Sequence, residues 1–274
     1  MKPASASCWG TEDPEGYTQG VATSALSKVT LAERPDLTDA LRESGLDGAL
    51  SWPRFYEGNA VNKLYWDRLY KDFAGYQVLF VEADDSIVAC GHTLPLYWDG
   101  TVRGLPEGRD HAIERAFTAE RKPNTLMAVA AVAHPSVKNT GLGAQIVESM
   151  GEVGRRNGLQ RMIAALRPTR KELYPLASFD EYISWTHADG SAFDPWLRAN
   201  LKLGGRILKV APESLVVEAG VKQWMDWTGG KFPATGAYVV PGALAPVHID
   251  LEKKIGRYAE PNVWVEHSLA DLGR

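Results

Sequence analysis

Apolar residues change their period several times along the chain, and each change marks an element. From Ala60 to Phe73, Val61, Leu64, Tyr65, Leu69 and Phe73 recur at three- and four-residue steps, which predicts an amphipathic helix. Gln77 to Glu82 then reads as a strand, Ala83-Asp84-Asp85 as a tight turn, and Ser86 to His92 as the returning strand. Leu126 to Ala133 is apolar throughout, the pattern of a buried strand. Gly143 or Ala144 to Arg156 returns to the helical period, and Arg161 to Leu166 reads as a strand again. Upstream, Lys28 to Ala32 fits a first strand, and Asp36 or Thr38 caps a helix through Arg42. Asp110 to Glu120 reads as a short helix inside the polar stretch from Trp98 to Pro123.

Beyond Pro168 the pattern weakens. Pro195 to Leu203 predicts a helix closed by Gly204-Gly205. Arg206 to Val210, Ser214 to Glu218, Gly236 to Val240 and Val247 to Ile249 predict strands. Residues 1–24, rich in Ser, Gly, Glu and Pro, read as a loose N-terminal segment. Residues 25–274 then form a single α+β domain, with insertions at 98–123 and 168–194 and an extended C-terminal region at 209–274.

Composition narrows the function. A hydrophobic fraction of 45% over 274 residues excludes a disordered chain. Thirty Lys and Arg against 34 Asp and Glu leave a net charge of −4. Nucleic-acid binding, which needs a basic excess to displace counterions, is disfavoured. Cys8 and Cys90 are too few for a disulfide framework or a four-cysteine zinc site, so no metal is expected. No apolar signal segment and no bilayer-length run occur, which predicts a cytoplasmic protein with no membrane partner. Neither Gly-x-Ser-x-Gly nor His-Glu-x-x-His is present, which weighs against a hydrolase.

The segment that carries chemistry runs from Leu126 to Ala144: a buried strand ends in His134-Pro135, and a short loop reaches Gly141-Leu142-Gly143, where a helix begins. A glycine loop at a helix N-terminus offers unpaired N–H groups and the positive end of the helix dipole, an arrangement that holds phosphate. Gly229-Gly230-Lys231-Phe232 fails as a P-loop at its last position, and Gly141-Leu142-Gly143 lacks the third small residue of a dinucleotide fingerprint.

The pattern resembles the acyl-CoA loop of the GNAT superfamily of N-acetyltransferases. There a strand ends near Val-x-Pro and Arg/Gln-x-x-Gly-x-Gly/Ala opens a helix. Val132, Pro135, Lys138, Gly141 and Gly143 fall in register, with Lys138 where Arg or Gln is usual. The order of elements from about Val29 to Leu208 is similar too. The resemblance implies a central, mostly antiparallel mixed sheet whose fourth and fifth strands splay, flanked by helices, with a long C-terminal elaboration. It implies that the pantetheine arm of acyl-CoA fills the splay against Val132, Ala133 and His134. The pyrophosphate would lie on the amides of Asn139, Thr140, Gly141, Leu142, Gly143 and Ala144, with Lys138 a further cofactor-binding residue.

Catalytic groups depart from the family. The strand from Leu126 to Ala133 carries no acid, so a base must come from elsewhere, with Glu82 and His92 as candidates. His92 reads first as a satisfied core or edge histidine. Asn200 stands where the family's acidic Tyr is usual; an amide can hydrogen-bond sulfur but cannot act as an acid. Tyr174 and Tyr182, in the inserted stretch, are candidate substitutes. Arg155, Arg156, Arg161, Arg167, Arg170 and Lys171 form a basic series that would attract the CoA ribose phosphate or an acidic carrier. Trp185, Trp196, Trp224, Trp227 and Trp264, five of nine tryptophans, fall after Pro168 and mark that region as the one to define the acceptor. The resulting expectation is transfer of an acyl group from a thioester to an amine of a small molecule by direct attack, in biosynthesis. The alternatives are a carrier protein's phosphopantetheine as donor, and a non-catalytic acyl-CoA-binding module. A homodimer is compatible with the sequence.

Overall fold

The computed structural model describes residues 26–46, 52–118, 120–137 and 141–273. Cys8 and the N-terminal segment lie outside them. Strands β1 (Ser27–Thr30), β2 (Gln77–Val81), β3 (Ile87–Leu96) and β4 (Thr125–Ala133) form an antiparallel run. Strand β5 (Arg161–Leu166) then pairs β4 in parallel. The remaining strands are β6 (Arg206–Gly220), β7 (Gly236–Tyr238), β8 (Val247–Asp250) and β9 (Ile255–Ser268). The sheet order is β1-β2-β3-β4-β5-β9-β8-β7, with β6 along the other edge of β9. This is the mixed α+β sheet that the sequence leads one to expect.

Helices cover both faces. On one lie α1 (Thr38–Glu43), α2 (Ala60–Asp72) and α3 (Arg109–Thr118), whose apolar residues pack with Leu79, Cys90, Leu94, Met127 and Trp264. On the other, α4 (Leu142–Arg156) buries Leu142, Ile146, Val147, Met150 and Val153 against Phe80, Leu126 and Met162. At roughly 1.5–3 kcal/mol per fully buried aliphatic side chain, that stripe pins α4 to the sheet. The short α5 (Phe179–Ser184) leads into α6 (Pro195–Lys202), which Asp194 caps by accepting the N–H groups of Trp196 and Leu197. Helix α7 (Val221–Thr228) follows β6.

The helices and hairpin read from periodicity are present within a few residues of their expected ends. Three differences matter. The two strands expected at Arg206–Val210 and Ser214–Glu218 are one, β6, with a register shift between Ala211 and Leu215. Helices α5 and α7 fall in stretches whose pattern is too weak to predict them. Strand β9 was expected only as C-terminal elaboration, yet it is central, pairing β5 on one edge and β6 on the other. It escapes the pattern because both faces are covered, so its apolar residues do not alternate, and Glu260-Pro261-Asn262 interrupts them.

Candidate active site

The parallel β4–β5 ladder runs from Thr125↔Arg161 to Ala128↔Ala164 and ends there. Strand β4 continues five residues further, to Ala133. The parting coincides with a bulge: His92 pairs Ala130 and Thr93 pairs Ala128, so Val129 has no partner on β3. The extra residue changes the phase of the strand. Met127 and Val129 face the α1–α3 side, and after the bulge Ala130 and Val132 do.

Past the bulge, the ladder fixes which backbone groups are left over. His134 donates its N–H to the Val88 carbonyl at 2.8 Å. In an antiparallel pair, successive residues turn their backbone groups to opposite sides, so Val132 and His134 face β3. Ala131 and Ala133 turn theirs into the gap that β5 has vacated. Among Val132, Ala133 and His134, therefore, only Ala133 presents its backbone to the gap. Ala131, which no residue-type argument singles out, joins it. The His134 ring folds back instead, with Nδ1 2.7 Å from the Ser136 hydroxyl.

At the end of β4 the chain returns through Gly141, which caps α4 with φ +82°. That left-handed backbone favours glycine because a Cβ crowds the neighbouring carbonyl. A Cβ on Gly143 would stand 3.3 Å from the Trp196 ring, so the first turn of α4 passes close beneath α6. The N–H groups opening this 15-residue helix carry the positive end of its dipole, where anions are favoured. Lys138, Asn139 and Thr140, expected in the same loop, lie outside the described residues.

The three expected catalytic side chains take distinct positions. His92 is fully buried on the α1–α3 side, opposite Ala130 at the bulge. Its Nδ1 lies 3.0 Å from Gln77 Oε1, an acceptor, so Nδ1 carries the hydrogen and Nε2 the lone pair in the neutral ring. Its ring packs against Trp66 and Tyr70. Asn200 is buried elsewhere. Its Nδ2 donates to the Trp196 carbonyl and its Oδ1 accepts from His267 Nε2, which ties α6 to β9. Burial holds the His267 pKa below its ordinary value, so this ring is neutral. Tyr182 donates its hydroxyl to Asp194 Oδ2 at 2.8 Å. Burial and that carboxylate push its pKa up, and the group supports the cap of α6 rather than offering a proton. Tyr174 stands against Tyr182, Trp185 and Phe193 in one aromatic cluster.

A second polar group, unforeseen as a unit, sits where β5 ends. Arg167 donates from Nε to Tyr56 Oη at 3.1 Å and to Glu260 Oε2 at 3.2 Å, and from Nη2 to the Gly242 carbonyl at 2.6 Å. Glu260 Oε2 also accepts from the Tyr56 and Tyr258 hydroxyls, and Oε1 from Asn262 Nδ2. Burial opposes the Arg167 charge, but the surrounding oxygens outweigh it and hold the guanidinium ionised. Burial and the Glu260 charge push the Tyr56 phenol well above its ordinary range, so it stays a donor. The sequence singles out Arg167 only as one of a basic series; nothing in it joins Arg167 to Tyr56, Tyr258, Glu260 and Asn262. Among the described residues no cluster of His, Cys, Asp or Glu is placed to hold a metal, and no helix is long and apolar enough to cross a membrane.

Where the parallel strands part, the bulged inner strand leaves backbone groups of Ala131 and Ala133 beside a gap, and a glycine-capped helix begins beyond its end. Comparison with known proteins places the chain in a family. No family model matches the chain. The arginine N-acetyltransferase avaD of Aspergillus versicolor is 31% identical over 291 residues, covering 95% of this chain and 97% of that protein. Among solved structures, the loading GNATL domain of CurA from Lyngbya majuscula superposes with a TM-score of 0.53 at 18% identity, covering 89% and 97% of the two chains. The GphF GNAT-like decarboxylase in complex with isobutyryl-CoA gives 0.52 at 17% identity, covering 89% and 98%. The chain belongs to the GNAT superfamily. It is an acyltransferase that moves an acyl group onto an amine nitrogen.

Proposed function

We propose that this protein acetylates a nitrogen of arginine, with acetyl-CoA as donor. The backbone of Ala131 and Ala133, turned into the gap between β4 and β5, carries the donor half of this reading. A pantetheine arm laid along β4 would replace the missing strand and pair with those groups. The amides of Gly141, Leu142, Gly143 and Ala144 would hold the pyrophosphate, with Lys138, Asn139 and Thr140 completing the loop. A carrier protein's phosphopantetheine, which lacks adenosine, would use less of that loop. The acceptor half rests on the Aspergillus relative.

The acceptor nitrogen attacks the thioester carbonyl; the C–N bond forms, the C–S bond breaks, and the thiolate leaves. His92 is the proton acceptor in this reading, because it stands beside the bulge with its tautomer set by Gln77. Asn200 and Tyr182 hold α6 in place. Residues 25–274 serve this site as one domain, in a cytoplasmic biosynthetic enzyme. The test is incubation of the purified protein with acetyl-CoA and arginine, read by free thiol release and mass spectrometry. Acetylarginine with stoichiometric CoA is the expected result. Thiol release without an acetylated product, or turnover only with a carrier-bound acetyl group, would overturn it.

A further inference from the structure

We propose that Arg167 anchors the carboxylate of the acceptor. The inference rests on arginine as acceptor and adds which end is gripped, and by what. Arg167 directly follows β5, three residues past the last pair that β5 makes with β4. Two of its nitrogens, Nε and Nη2, are committed to Tyr56, Glu260 and Gly242. Nη1 makes no hydrogen bond among the described residues. The Arg167 side chain is 20% exposed and that of Glu260 2%, so the accessible part of this ion pair belongs to the cation.

An ion pair this deep is poorly explained by stability alone, since apolar replacements of similar volume are often as stable. A guanidinium clamped on two sides and open on the third is what recognition requires, because its orientation is fixed before the ligand arrives. Glu260 is not the recognising group. Its oxygens already accept from Tyr56, Tyr258, Arg167 and Asn262, so it serves as the fixed counter-charge.

One further donor nearby in the sheet is left without a partner. The Trp264 indole N–H is buried and has no partner among the described residues. Trp264 pairs Ala165, the last residue but one of β5. A planar carboxylate is the acceptor that the open side of the Arg167 guanidinium fits best.

The test compares arginine with agmatine, which keeps the guanidinium and lacks the carboxylate, at saturating acetyl-CoA. For the wild-type enzyme, KM for agmatine should exceed that for arginine by roughly ten- to a hundredfold, the value of one charge-assisted hydrogen-bonded pair. Arg167→Gln should raise KM for arginine by a similar factor and leave agmatine unchanged, and Arg167→Lys should recover part of the loss. Equal use of arginine and agmatine by the wild-type enzyme would overturn the anchor while leaving arginine acetylation standing. Loss of both activities in Arg167→Gln at full folding would also overturn it. If instead Arg167→Gln raised KM for malonyl-CoA but not for arginine, the carboxylate would belong to the donor and the assignment would be wrong. Acetylation of neither compound would overturn the acceptor reading, and the anchor with it.

Discussion

Two regions meet where β4 and β5 part, and they are built on opposite principles. The proposed donor side, residues 131–137 and 141–144, would work through backbone. Its groups are amides and carbonyls left over by a bulge, a missing strand and a helix end. The acceptor side works through side chains: Arg167, Glu260, Tyr56, Tyr258 and Asn262 satisfy one another in a buried network. A backbone site tolerates sequence change as long as glycine stays where the chain turns. A side-chain site fails with single residues, which makes it the natural place for specificity.

Substitutions should expose this difference. The largest effect is expected at Glu260: replacing it by Ala leaves Arg167 charged, mostly buried and without its counter-ion. Such changes cost about 3–5 kcal/mol, so chemical denaturation should show a large stability loss, and Glu260→Gln a smaller one. An unchanged midpoint for Glu260→Ala would mean that the network is not coupled. Gly143→Asp places an acid in the first turn of a helix, which the dipole favours. Its Cβ presses on the Trp196 ring 3.3 Å away, so a modest loss of stability is expected. It would also set a carboxylate against the bound pyrophosphate. At a hundred times Kd, acetyl-CoA adds about 2.7 kcal/mol to the stability of the wild-type protein. This rise in Tm should vanish in the variant, and its persistence would remove α4 from the donor site.

His92→Gln probes the seam between the two regions. Loss of a general base typically costs about a hundredfold or more in kcat, and CoA binding should be unaffected; a normal kcat would acquit His92. The smallest effect concerns pH. Burial lowers the His267 pKa from 6.5, so the folded protein keeps the ring neutral while the unfolded chain takes up a proton. Stability should be constant above that value and fall as pH drops below it, by at most about 1.4 kcal/mol per unit. His267→Gln should flatten this slope, and an unaltered slope would locate the titration elsewhere.

The same contrast explains what the letters showed. The donor site lies in one stretch of chain, and its strand, glycines and helix were legible because local periodicity and φ preference determine them. Which backbone groups face the gap was not legible. That depends on the bulge at Val129 and on the pairing with β3, which turns the backbone of Ala131 and Ala133 to the gap and that of Val132 and His134 to β3. The acceptor network was illegible for a different reason: Tyr56, Arg167 and Glu260 are brought together only by the sheet order. Position along the chain suggests Asn200 and Tyr182, and the structure gives each a buried partner. The tryptophans that pointed to the C-terminal region divide likewise. Trp224 and Trp264 are fully buried, and Trp196 covers the start of α4.

Amide hydrogen exchange at β4, followed residue by residue by NMR with and without CoA, tests the central claim most directly. Val132 and His134 donate to β3 and should exchange slowly in both states. Ala131 and Ala133 should exchange quickly in the free protein and slowly once the arm of CoA lies beside them. Slow exchange at all four without ligand, or no change at Ala131 and Ala133 on saturation with CoA, would contradict the account.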